Sequence, residues 1–289
     1  MRSSGDGDPG LHGLKPGNAL IGARRSSIGR ASARPGRADE RLRHRSFALL
    51  FFFLLLFLPL PLLGPSASAN AGTELGVAGS ERLSDERAYT RWAYSKLRSP
   101  IRRLPAPTSR RIARVRYLTE DGFPEVYLVL RRWTDRDGHT WLKVRIPMRP
   151  NGRRGWVRES ALGPLRLVRT RLVVDRRHLR AALYRSGRLI WRARIGVGAP
   201  STPTPAGRFW IRERLEVLDP RGIYGPWAFG TSAYSGLSDW PGGGVIGIHG
   251  TDQPQLIPGQ PSHGCIRLEN PAIRRLARLM PIGTPVRIR

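Results

Sequence analysis

Ile246-Gly247-Ile248-His249-Gly250-Thr251 and, after a spacer, Ser262-His263-Gly264-Cys265-Ile266-Arg267 are the two stretches on which the reading of this chain turns. Both carry an imidazole next to a glycine. Cys265 follows His249 by 16 residues, a separation that suits two strands joined by a long loop. Pro254, Pro258 and Pro261 stiffen that loop. Cys265 is the only cysteine among 289 residues, so it has no intramolecular disulfide partner. A lone thiol in an exported protein points to nucleophilic attack.

A thiol attacks as thiolate, which calls for a base and positive surroundings that lower its pKa. His249 is the expected general base and later acid, and Arg267 adds charge. His263 lies two residues before Cys265; an extended strand would put both on one face, whereas a tight turn would part them. Gly264 lets the backbone approach a substrate, and the amides of Gly264 and Cys265 could then point at a developing oxyanion. Gly250 has no side chain. A third group fixing the tautomer of His249 from that position must be a backbone carbonyl. Two other readings compete. A single buried cysteine is usually an inert small hydrophobe. His249, His263 and Cys265 could bind zinc, but no Cys-x-x-Cys or His-x-x-x-His spacing supports it, and neither metal nor cofactor is expected.

At these residues the chain resembles the L,D-transpeptidase catalytic domain (the YkuD or ErfK family): IGIHGT, a gap, then SHGCIRLEN. The resemblance covers about Leu167 to Arg289. It implies Cys265 as nucleophile, His249 as proton donor and acceptor, and Gly250 as the residue whose carbonyl orients His249. Ser262, His263, Gly264 and Arg267 match the remaining signature positions, expected to serve the oxyanion and the substrate. The implied substrates are peptidoglycan stem peptides. The implied reaction passes an acyl group through a cysteine thioester to an amine, giving a 3→3 cross-link. If water resolves the thioester, the enzyme is an L,D-carboxypeptidase.

The rest of the chain fits an exported β protein. Residues 1–45 are basic and poor in aliphatics, and read as disordered. Residues 47–63 are continuously apolar, preceded by Arg41, Arg43 and Arg45 and followed by the A-x-A site Ala69-Asn70-Ala71. That order makes residues 1–71 a leader with a signal peptide or signal-anchor, and places the mature chain in the extracytoplasmic envelope. Residues 72–107 read as a linker, with a helix starting at Ser84. Residues 108–163 read as a small β domain: a strand at Val126–Leu130, an Asp137-Gly138 turn, and a Gly155-Trp156-Val157 step. These resemble the bacterial SH3-like module, whose role would be spacing, packing or holding wall polymer. The last domain, 167–289, shows alternation in Arg188–Ile195, a Pro-rich loop at 201–207, a helix over Pro271–Met280 and a final strand at 285–288. The fold class expected is mostly β, a β-sandwich catalytic domain behind a smaller β domain. The aromatic-rich segment 218–240 reads as a loop walling the donor cleft.

Charge tests the rivals. Fifty Lys+Arg against 21 Asp+Glu give +29, and only Lys15, Lys96 and Lys143 are lysine. Such charge suggests nucleic acid, yet the arginines are spread evenly and no recognition motif is present. An anionic wall attracts the chain as well. No nucleic-acid partner is expected, and membrane contact only through residues 47–63. The remaining rival is a non-catalytic wall-binding protein.

Overall fold

A computed structural model of the chain describes residues 23–24, 79–237 and 241–289. The apolar run 47–63, Ala69-Asn70-Ala71 and Trp240 lie outside the described residues. Among the described residues no helix is long and apolar enough to cross a membrane.

The first β unit has eight strands: β1 (Gly79–Arg82), β2 (Thr90–Tyr94), β3 (Pro100–Arg102), β4 (Arg111–Arg114), β5 (Val126–Thr134), β6 (Thr140–Arg145), β7 (Arg154–Arg158) and β8 (Arg166–Val168). They run β4-β3-β7-β6-β5-β2-β8, with β1 also on β5. The helix expected from Ser84 does not form. Ala88, Trp92 and Tyr94 fit a period of two as well as a helical turn, and burial decides between them. Trp92 and Ala93 are buried in β2. Ser84 caps no helix: its hydroxyl donates to the Val129 carbonyl and accepts the Arg91 amide. Much of the expected linker is therefore sheet. Leu167, expected to open the last domain, lies in β8 and pairs with Arg91.

The second unit has two sheets around one apolar core. In the first, β9 (Thr170–Asp175), β10 (Arg180–Arg185), β11 (Arg188–Arg194), β13 (Gly207–Trp210) and β19 (Pro285–Ile288) run β11-β10-β9-β19-β13. β9 alternates buried and half-buried residues, the pattern of a half-covered strand. In the second, β12 (Gly196–Gly198), β14 (Leu215–Val217), β15 (Trp227–Tyr234), β16 (Val245–His249), β17 (Gly259–Ser262) and β18 (Ile266–Arg267) run β14-β15-β16-β18-β12-β17. Leu172, Leu183 and Trp191 of the first sheet share the core with Phe229, Ile248 and Ile266 of the second. Helix α1 (Asn270–Leu279) adds Ile273, Leu276 and Ala277. Pro271 sits in its first turn, where no amide hydrogen is needed. Fully burying each such aliphatic side chain stabilises the fold by roughly 1.5–3 kcal/mol.

The expected loop over 218–240 is only partly a loop. Residues 227–234 form β15, with Phe229 and Ala233 in the core. The glycine and aromatic composition hid a strand buried on both faces.

The two units meet across a charged junction. Arg212 is 1% exposed; its Nε donates to Glu125 Oε1 at 2.8 Å and its Nη2 to Glu120 Oε2 at 2.8 Å. Arg116 pairs with both carboxylates. Tyr234 Oη donates to Glu120 at 2.6 Å, and Trp210 Nε1 to the Val126 carbonyl at 2.9 Å. These bonds tie the loop after β4 and the start of β5 to β13, the residues that follow it, and β15.

Candidate active site

β16 and β18 run parallel, with Ile248 beside Ile266 and His249 beside Arg267. Ile248 and Ile266 face the core. Gly247, His249, Cys265 and Arg267 therefore face the other way, because side chains alternate along a strand. A Cβ placed on Gly247 would lie 3.5 Å from His249 Cδ2 and 3.6 Å from Cys265 Sγ. Imidazole and sulfur thus flank one bare glycine, whose amide donates to the sulfur at 3.3 Å. The 16-residue spacer brings both onto one face of one sheet.

His249 is 4% exposed, and its Nδ1 bonds the Gly250 carbonyl at 2.6 Å. Nδ1 must carry the hydrogen, which leaves Nε2 with a lone pair. The carbonyl is itself held. Gly250 C=O and Thr251 N–H belong to one peptide unit, and that amide donates to Asn270 Oδ1 at 3.0 Å. Asn270 is the first residue of α1, so the helix start fixes the peptide that fixes the imidazole. Space there is tight: a Cβ on Gly250 would lie 2.4 Å from Asn270 Oδ1 and 3.0 Å from Gly225 Cα. Tyr224 stacks edge-on to His249, with ring centroids 5.0 Å apart. Sequence reasoning placed Tyr224 only within a loop walling the cleft and Asn270 only at a helix start, and tied neither to His249. Neither carries a pattern of its own, and only folding brings them to the ring.

The electrostatics differ from the sequence expectation of a lowered thiol pKa. Burial pushes the Cys265 thiol up, against the Gly247 amide and Arg267. Burial also pulls His249 down to about 4, against the Gly250 carbonyl and with help from Arg267. The sulfur has too little water to ionise alone, and one arginine does not offset that. At neutral pH the resting pair is a thiol beside a neutral imidazole.

Ser262 and Gly264 also depart from expectation. Ser262 is 3% exposed; its hydroxyl donates to the Cys265 carbonyl at 2.6 Å and accepts the Gly264 amide at 3.2 Å. It braces the 262–265 turn from inside. Of the two amides expected at the oxyanion, that of Gly264 is taken by Ser262. Gly264 has φ +122°, a conformation open to glycine, and this turn parts His263 from Cys265. His263 is exposed, whereas Cys265 is half-buried. Thr204, in the Pro-rich loop, donates to the Gly264 carbonyl at 2.7 Å. Arg267 reaches Gln253 Oε1 at 3.5 Å. Among the described residues, the group whose ligand atoms converge within 4.8 Å is Asp135, Asp137 and His139, at the hairpin turn of the first unit.

Residues 169–288 match the YkuD family, the L,D-transpeptidase catalytic domain. The YkuD protein of Bacillus licheniformis is 36% identical over 106 residues, covering 37% of this chain and 57% of that protein. The YkuD protein of Bacillus subtilis is 36% identical over 94 residues, covering 32% and 50%. The chain thus spans about half the length of the curated relatives it matches. Among solved structures, the catalytic domain of Enterococcus faecium L,D-transpeptidase is 26% identical over 42% of this chain and 96% of that one, with TM-score 0.31. An L,D-transpeptidase from Mycobacterium smegmatis is 14% identical over 52% and 90%, with TM-score 0.35. The YkuD match begins beside Thr170, at the start of β9, and ends within β19. It contains the thiol, the imidazole and Asn270, and leaves the first β unit outside.

Proposed function

We propose that this protein is a peptidoglycan L,D-transpeptidase that works through a Cys265 thioester at the cell envelope, reached by way of residues 1–71. The observation that carries the reading is the ordered run Asn270, the 250–251 peptide, His249 and Cys265, with a bare glycine beside the sulfur. Nε2 of His249 takes the thiol proton as sulfur attacks the donor carbonyl, so charge appears only during the reaction. The neutral resting pair suits this order, since a base with pKa about 4 gives its proton up readily to the departing amine. The Cys265 amide is the donor left for the oxyanion. An acceptor amine then attacks the thioester and leaves its surplus proton on His249.

Incubation with a tetrapeptide stem should add an acyl group to Cys265 in the intact mass, and digested sacculi should gain 3→3 cross-linked muropeptides. Hydrolysed stems without cross-links would assign an L,D-carboxypeptidase. An unmodified mass with both donor and acceptor present would remove the covalent reading.

A further inference from the structure

The Pro-rich loop at 201–207 is knitted to the turn that carries Cys265. Pro203 and Pro205 fix φ on either side of Thr204, and a residue before proline keeps an extended backbone. Gly198 of β12 lets the loop come close: a Cβ there would lie 2.7 Å from the Thr204 nitrogen and 2.9 Å from Gly264 Cα. The Ala199 amide donates to the Ser262 carbonyl at 2.8 Å, and the Thr202 hydroxyl to the same carbonyl at 3.3 Å.

Thr204 is 1% exposed. Its Oγ1 accepts the Gly198 amide at 2.9 Å and donates to the Gly264 carbonyl at 2.7 Å. An amide can only donate and a carbonyl only accept, so the hydroxyl has one orientation. The Thr204 carbonyl accepts Arg176 Nη1 at 2.6 Å, which holds the residue from its other side. Ser262 braces the 263–264 and 265–266 peptides through the Gly264 amide and the Cys265 carbonyl. The peptide between them, 264–265, is left to Thr204. Its carbonyl belongs to Gly264 and its N–H to Cys265, and in a planar trans peptide the two point in opposite directions. Holding the carbonyl therefore fixes where the amide points. Gly264, at φ +122°, has no side chain of its own to do this. A hydrogen bond received at the carbonyl also strengthens the N–H of the same peptide as a donor.

We propose that Thr204 is a positioning residue for the oxyanion, acting through the 264–265 peptide on the Cys265 amide. This rests on the thioester reading above and adds to it a residue from outside the His-Gly and Ser-His-Gly-Cys stretches. When sulfur forms its bond to the donor carbonyl carbon, the thiol proton passes to Nε2 of His249 and the carbonyl electron pair moves onto oxygen. The Cys265 amide meets that charge. The pair then returns, the C–N bond breaks, and the amine leaves with the proton from His249. Thr204 touches none of the reacting atoms. It sets the direction and strength of the one donor that does.

The test uses the full chain, a tetrapeptide stem as donor, and iodoacetamide as a second reagent for the same sulfur. Acylation passes through an oxyanion, whereas displacement of iodide does not. Thr204→Val keeps the shape and removes the hydroxyl. It should slow Cys265 acylation at saturating donor by about tenfold, less than the roughly 10²–10³-fold loss on deleting an oxyanion donor outright. The donor concentration giving half the maximal rate and the rate of alkylation should both stay as in wild type. Thr204→Ser restores the hydroxyl and should restore the acylation rate. Rates are read per reactive Cys265, so partial unfolding lowers the amplitude and not the rate constant. Thr204→Ala carries the same prediction if the valine variant does not fold. Unchanged acylation without the hydroxyl, an equal fall in acylation and alkylation, or no recovery with serine overturns the proposal while the thioester stands. A wild type that forms no acyl-enzyme overturns both.

Discussion

The chain holds two buried polar clusters, one at the junction of the two β units and one at the candidate site, and they treat charge in opposite ways. At the junction, Arg212 and Glu125 are 1% and 0% exposed, and each meets opposite charge at hydrogen-bond distance. Arg212 beside it, with Arg116, holds the Glu120 carboxyl down at about 2 against the opposing effect of burial. At the site, His249 and Cys265 are covered without a full counter-charge. Burial there wins, and both stay neutral. Burial alone therefore does not set ionisation; what lies at the next hydrogen-bond position does. The junction uses fixed charge to hold two β units together. The site keeps its charge in reserve until a proton moves.

The largest test of this contrast is Cys265→Ala. The acyl adduct should vanish completely while the melting temperature holds, since the change is small and at a half-buried position. Next is Arg212→Ala, which leaves buried Glu125 and Glu120 with Arg116 as their one cationic partner. Breaking one partner of a buried pair costs about 3–5 kcal/mol, measured by urea unfolding. The double variant Arg212→Met with Glu125→Gln should recover much of that, because no lone charge remains. Equal losses in the single and double variants would break the comparison. Asn270→Ala should slow Cys265 acylation about tenfold, the kinetic equivalent of one lost hydrogen bond to a positioning group. Alkylation of Cys265 at high pH, where the thiol ionises without a base, should be little changed.

The smallest effect is on acid stability. His249 has a folded pKa of about 4, below its unfolded 6.5, so the unfolded chain binds the proton first. That contribution is complete above pH 6.5 and is lost as pH falls toward 4. Glu120 follows the same sign, from about 4.5 down to 2. Melting temperature should decline in both windows. His249→Gln should remove the first decline and keep the second.

Much was legible along the chain. β11 was marked by alternation, α1 by Pro271 and its apolar face, and β19 by the closing apolar run. The signature named Cys265, His249 and Gly250, and the carbonyl of Gly250 was deduced from the lack of a side chain there. Other parts were not legible for identifiable reasons. β2 was hidden because Ala88, Trp92 and Tyr94 fit two periods. β15 was hidden because a strand covered on both faces does not alternate. Ser262 read as a substrate contact, but its hydroxyl is consumed by the loop it belongs to.

The sequence by itself supplied the lone thiol, the imidazole and their glycines as candidates, since these are properties of residue type and order. It also determined that the C-terminal half is mostly strand. Only the tertiary structure decided the protonation of the pair, because ionisation follows the water removed and the charges brought near. It alone set Asn270 and Tyr224 against His249. Those meetings join residues distant along the chain, and no local pattern records a contact that folding creates.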